Sequence, residues 1–120
     1  MAYRVTQPDA EEALVSTMQW YTVRNHAEVQ YFLRQHPFLL GVLAEAHERI
    51  PRYFPAPQLS LWIMSDPERG AGDACELVLS IETALEVADA MERRERLADE
   101  WWLDALPATG GKLSIDLEFV

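Results

Sequence analysis

The chain has 120 residues, 49% of them hydrophobic, and carries twenty acidic against ten basic side chains for a formal net charge of −10. That length and apolar share exclude a disordered chain and describe one domain, residues 1–120, able to bury its own core. The acidity argues against a nucleic-acid binder, whose affinity rests on Lys and Arg displacing phosphate counterions, and favours solubility or a basic protein partner.

Residues 1–24 are a poorly defined N-terminal extension. Within it, Asp9 to Met18 reads as a short helix started by Pro8, Asp9, Glu11 and Glu12. Gln19-Trp-Tyr-Thr-Val23 is aromatic and β-branched but too short to read as a strand. A clearer helix starts at Asn25, where Asn25 and Glu28 have the spacing of a capping box. It weakens at His36, because a residue before proline avoids helical geometry. Pro37 suits the first turn of a second helix, whose stripe is Phe38, Leu39, Val42, Leu43, Ala46 and Ile50.

After the stiff connector Tyr53-Phe-Pro-Ala-Pro57, Leu59, Leu61 and Ile63 alternate with Ser60, Trp62 and Met64. Leu77, Leu79 and Ile81 alternate likewise with Glu76, Val78, Ser80 and Glu82. A period of two places each Leu/Ile set on one side of a pleat. Asp66-Pro67, Gly70 and Gly72 punctuate the middle, so residues 58–83 read as an antiparallel hairpin with a long loop. Thr83 and Glu86 repeat the capping-box spacing, and a long helix runs to about Leu103. Its charged middle, with i,i+4 pairs such as Asp89 and Arg93, is a solvated face. Pro107 and Gly110-Gly111 break the chain before a third strand, Lys112 to Val120. The fold class expected is α+β, with the N-terminal helices and one long helix on one face of a three-stranded, mainly antiparallel sheet. The order expected is 2-1-3, with the strand bearing Trp62 and Met64 in the centre.

No chemistry announces itself. The histidines His26, His36 and His47 lack the spacing of three or four that a helical metal pair needs, so no metal or other cofactor is implied. Cys75 stands alone, which excludes an internal disulfide framework and fits a reducing compartment. Thr109-Gly-Gly-Lys112 precedes a strand and not a helix, unlike a phosphate loop. No apolar run approaches the ~20 residues of a membrane span, and none near the N-terminus suits a signal peptide. The expected location is therefore cytoplasmic.

Two stretches stand out: Asp66-Pro-Glu68 in the hairpin loop and Asp99-Glu-Trp-Trp-Leu-Asp104. Acids near a helix C-terminus oppose the macrodipole by ~0.3–1 kcal/mol each. That placement points to an acidic, aromatic patch for a partner, set against the plainer reading that Trp101 and Trp102 close the core.

The run His36-Pro-Phe-Leu-Leu40, with Phe54-Pro55, Leu59-Ser-Leu61, Asp66-Pro-Glu68, Trp101-Trp-Leu-Asp104 and Gly111-Lys-Leu followed by Glu118-Phe119, resembles a group of small uncharacterised bacterial proteins. The likeness covers residues 25–120. It implies a stand-alone bacterial cytosolic protein and supplies no catalytic residue. Arg94 departs from the pattern, which expects an apolar residue there.

The function expected is a non-enzymatic interaction or regulatory module with an acidic, aromatic binding face. The candidate face residues are His36, Asp66, Glu68, Trp101, Trp102 and Asp104. Trp62, Met64 and Val78 are candidates for the face of a homodimer, because an apolar outer sheet face needs a cover. The alternative is a small enzyme or ligand-binding protein with a pocket formed by His36, the hairpin loop and the Trp101-Trp102 helix end.

Overall fold

The computed structural model describes residues 2–65 and 75–120. The elements follow the order α1 (Ala2–Trp20), β1 (Thr22–Val23), α2 (His26–Gln35), α3 (Leu39–Arg49), β2 (Gln58–Ser65), β3 (Cys75–Thr83), α4 (Val87–Leu97), α5 (Leu103–Ala105) and β4 (Leu113–Phe119). The class is α+β, as the segregation of helical and alternating stretches implies. Helix α1 extends well beyond the Asp9–Met18 segment expected.

Local signals explain most boundaries. Asn25 adopts a left-handed conformation (φ 58) and its side chain accepts the Glu28 N–H at 3.3 Å, so it caps α2. The helix stops at His36, which leaves helical geometry (φ −132, ψ 62) ahead of Pro37. Helix α3 ends in the tight turn Ile50–Arg52, with Pro51 in its first turn. The second capping box does not form. Thr83 Oγ1 instead accepts the Leu85 N–H at 3.1 Å, and α4 starts from Glu86 without a side-chain cap.

The hairpin is as read: β2 and β3 pair antiparallel, with Leu59 opposite Ile81, Leu61 opposite Leu79 and Ile63 opposite Leu77. The rest of the sheet differs from expectation. It has four strands in the order β1-β2-β3-β4 and is mixed, not three-stranded and mainly antiparallel in the order 2-1-3. Thr22 and Val23 pair parallel to Ser60 and Leu61, and the Arg24 N–H extends the ladder to the Leu61 carbonyl at 2.9 Å. A strand of 2 residues has too few positions to display a period. Strand β4 pairs parallel to β3, Ile115 opposite Leu79. A strand–helix–strand crossover naturally lays its two strands side by side and parallel. The polar outer face of β4 does fit an edge, but β2 and β3 share the centre. The strand bearing Trp62 and Met64 is thus internal, as expected, flanked by β1 and β3.

One continuous core joins Leu33, Leu43 and Ile50 of the helical half to Leu61, Leu79 and Ile81 of the sheet. Leu97 and Trp101 belong to the same core, so α4 packs on the same side as α2 and α3. Burying each such Leu or Ile contributes about 1.5–3 kcal/mol. Among the described residues, no helix is long and apolar enough to cross a membrane.

Candidate functional site

The long helix does not continue straight to Leu103. After α4 it widens into a π turn over Ala98–Trp102, then runs into α5. π turns are rare single-turn interruptions of α-helices and recur at functional sites. Both tryptophans lie in this turn, and as neighbours on a helix they point to different sides. Trp101 is 5% exposed and belongs to the core, whereas Trp102 is half-buried at the surface, the two rings 5.6 Å apart. The plainer reading holds for Trp101. Trp102 packs against the margin of the same core and leaves part of its ring at the surface.

Trp102 lines a groove of about 330 Å³ with Met91, Arg94, Glu95, Ala98 and Leu103, floored by Leu97 and Ile115. Met91 is 45% exposed and Leu103 53% exposed at its rim, with Leu106 exposed nearby. Glu95, Asp99 and Asp104 are exposed along the same helical stretch. Neighbours pin this end of the helix. Arg93 donates to Asp89 Oδ1 (2.9 Å) and to the Tyr53 carbonyl (2.8 Å). The Arg96 guanidinium lies 5.7 Å from the Tyr53 ring centre. The Tyr53 hydroxyl donates to Glu100, and that bond is the largest cause raising the Tyr53 pKa. Glu100 thus serves the fold, while Glu95, Asp99 and Asp104 remain at the surface.

His36 lies elsewhere. It lines a cavity of about 490 Å³ with Glu28, Tyr31, Phe32 and Gln35 of α2 and with Ile63, Cys75 and Lys112 from three strand ends. Its ring stacks on Phe32 (centroids 4.3 Å apart) and meets Phe38 edge-on at 5.8 Å. Nδ1 lies 2.9 Å from the Phe32 carbonyl. In the neutral ring that contact places the proton on Nδ1 and leaves Nε2 as an acceptor. Cys75 Sγ sits 3.5 Å from Ser65 Oγ where the two strands of the hairpin meet its connecting loop.

The outer sheet face is polar where an apolar surface was expected. The Trp62 indole N–H donates to Ser80 Oγ at 2.9 Å, and Ser60 Oγ donates to Glu82 at 2.9 Å. Glu82 and Glu118 stand opposite one another on β3 and β4. Arg24 reaches both, at 3.7 and 2.8 Å, and lies 6.0 Å from the Trp62 ring centre. This guanidinium, then the Ser80 hydroxyl, hold the Glu118 carboxyl below the ordinary range. Val78 is buried and Trp62 half-buried, leaving Met64 as the exposed apolar group of the three.

The structure therefore separates the residues singled out from the sequence. Trp102 and Asp104 mark the helix end, His36 the α2 cavity, and Trp62, Met64 and Val78 the outer face. Asp66 and Glu68 lie outside the described residues. Among the described residues, no three His, Cys, Asp or Glu side chains gather as a metal site. Sequence reading missed Arg24, because its partners are 58 and 94 positions away. It also missed Met91 and Leu103 as a groove, because the π turn that assembles them has no period of its own. No family model matches the chain, no curated protein is similar to it, and no solved structure matches it, so the motif resemblance brings no family and the site stands on its geometry.

Proposed function

We propose that the chain is a protein-interaction module that binds a basic partner through the groove at the end of α4. The observation that carries this reading is the rim: Met91 and Leu103 are exposed beside Trp102, with Glu95, Asp99 and Asp104 along the same helical stretch. Exposed apolar groups rimmed by polar side chains, here Arg94 and Glu95 with Asp99 and Asp104 further along, are expensive to leave in water and mark contact surfaces. The net charge of −10 adds steering toward a basic surface. The test is capture from a lysate of the protein's own host with wild-type bait, Leu103→Arg bait and a Glu95→Gln, Asp99→Asn, Asp104→Asn bait. Leu103→Arg should lose the partner outright. The neutralised bait should bind more weakly and less salt-sensitively. Equal recovery by all three refutes the assignment.

A second reading, a small-molecule site, is favoured by the His36 cavity alone. Its size lies within the range of ligand pockets, and a tautomer-fixed imidazole shares it with a thiol and an apolar wall. Metabolite screening by ligand-observed NMR tests it, with Ile63→Trp to fill the cavity. Hits that bind the filled variant equally well exclude the cavity.

A further inference from the structure

Strand β4 ends the sheet, and the backbone of its outer edge can be read from its pairing. The Lys112 carbonyl accepts the Leu77 N–H at 2.9 Å, and the Val120 N–H donates to the Thr83 carbonyl at 3.0 Å. Backbone groups alternate sides along a strand. Even-numbered residues of β4 therefore face β3, and Leu113, Ile115, Leu117 and Phe119 turn their N–H and C=O groups outward. One contact agrees directly: Arg94 reaches the Ile115 carbonyl at 3.2 Å, and Arg94 also lines the groove beside Trp102. The groove thus opens onto this edge. Among the described residues, no strand pairs there.

The two sides of that edge differ sharply. On the helix side lies the apolar groove of Met91, Trp102 and Leu103. On the other side, the outward side chains of β4 include Asp116 and Glu118. A strand laid along this edge would send alternate side chains to each side. From this we infer that the partner docks as an added β-strand alternating apolar and basic residues, its apolar side chains in the groove and its Lys or Arg beside the exposed Asp116, Glu118 being already paired with Arg24. This rests on the groove reading above and names the form its partner takes. A second copy of the chain is disfavoured in the antiparallel register centred on Leu117, which sets Asp116 against Glu118 of that copy. Arg94 is then the guard of an edge that would otherwise attract any strand, and the incoming backbone displaces it.

The experiment is an amide-resolved NMR titration of the whole chain with acetylated hexapeptides. One alternates valine and lysine. A second has the same composition in two blocks. Two more carry N-methyl groups on the valines only or on the lysines only. Strand addition uses one edge of the peptide. The alternating peptide should shift the Leu113, Ile115, Leu117 and Phe119 amides saturably, and the block peptide should not. One N-methylated isomer should lose about tenfold in affinity, as expected for removing roughly 1.4 kcal/mol of hydrogen bonding, while the other binds as the parent does. Asp116→Lys in the protein should weaken the alternating peptide without altering the fold of an exposed position. Equal binding by both N-methylated isomers, or shifts confined to Trp102 and Leu103, overturns strand addition while leaving the groove reading intact. No saturable shift of the β4 amides up to about 1 mM overturns it as well. The groove reading itself fails separately, through unaltered capture by the Leu103→Arg bait.

Discussion

Arg24 sits just past a strand of 2 residues, yet its guanidinium spans the sheet to Glu118 on the far strand. It offsets the repulsion of two carboxylates held side by side, and being exposed it contributes only about 0.5–1 kcal/mol. The pH dependence has a definite sign. A carboxyl whose folded pKa is lowered stabilises the fold above the ordinary carboxylate pKa, and loses that contribution as pH falls through the folded value. Urea midpoints of wild type and Arg24→Gln should differ at pH 7 and converge below about pH 4. A constant gap down to pH 3 would show that Arg24 acts by packing and not by charge. The two tryptophans separate as clearly. Trp101→Ala should cost about 3–5 kcal/mol, the range for emptying a buried aromatic site. Trp102→Ala should cost less than half as much, read by the same denaturation. Equal losses would mean that Trp102 is as much a core residue as Trp101.

At the scale of elements, the legible parts were those whose signal is local. The Leu59-Leu61-Ile63 and Leu77-Leu79-Ile81 alternations specified a hairpin and its inner face. Asn25 and Pro37 specified where α2 begins and ends, because a cap and a pre-proline restriction act within a few residues. Long-range pairing was not legible. Thr22 and Val23 become a strand only because Ser60 and Leu61 lie beside them. The polar outer face of β4 identified an edge but not which strand it borders, and the α4 crossover decides that. The candidate site divides in the same way. Asp99-Glu-Trp-Trp-Leu-Asp104 drew attention through its composition, and Trp102 and Asp104 do lie at the helix end. The groove depends on the widened turn after Leu97, which sets Met91 and Leu103 around Trp102. Leu103→Arg, at a position 53% exposed, should change stability by no more than about 0.5 kcal/mol. Thr109→Val should cost about 1–2 kcal/mol. It removes a buried hydroxyl that donates to the Leu106 carbonyl at 2.7 Å and accepts the Gly111 N–H at 3.3 Å. Thermal unfolding of the pair gives both numbers. A large loss in Leu103→Arg would make that side chain part of the core and remove it from the binding face.

For the whole molecule, two layers leave the outer sheet face, the β4 edge and the end of the long helix among the surfaces that meet water. The sheet face is closed on itself by Arg24 and its hydroxyl and indole partners. The helix end and the adjoining β4 edge combine apolar surface, an edge with no strand beside it among the described residues, and acidity, on a chain whose net charge is −10. Binding there should weaken as salt rises toward 0.5 M, because at about 0.15 M the screening length is already ~8 Å. The most direct measurement is quantitative capture by wild-type and Leu103→Arg protein, with circular dichroism confirming that both are folded. The expected result is a near-stoichiometric basic protein held by wild type, released by salt and absent from Leu103→Arg. Full retention of that protein by folded Leu103→Arg would contradict the groove as the working surface of this molecule.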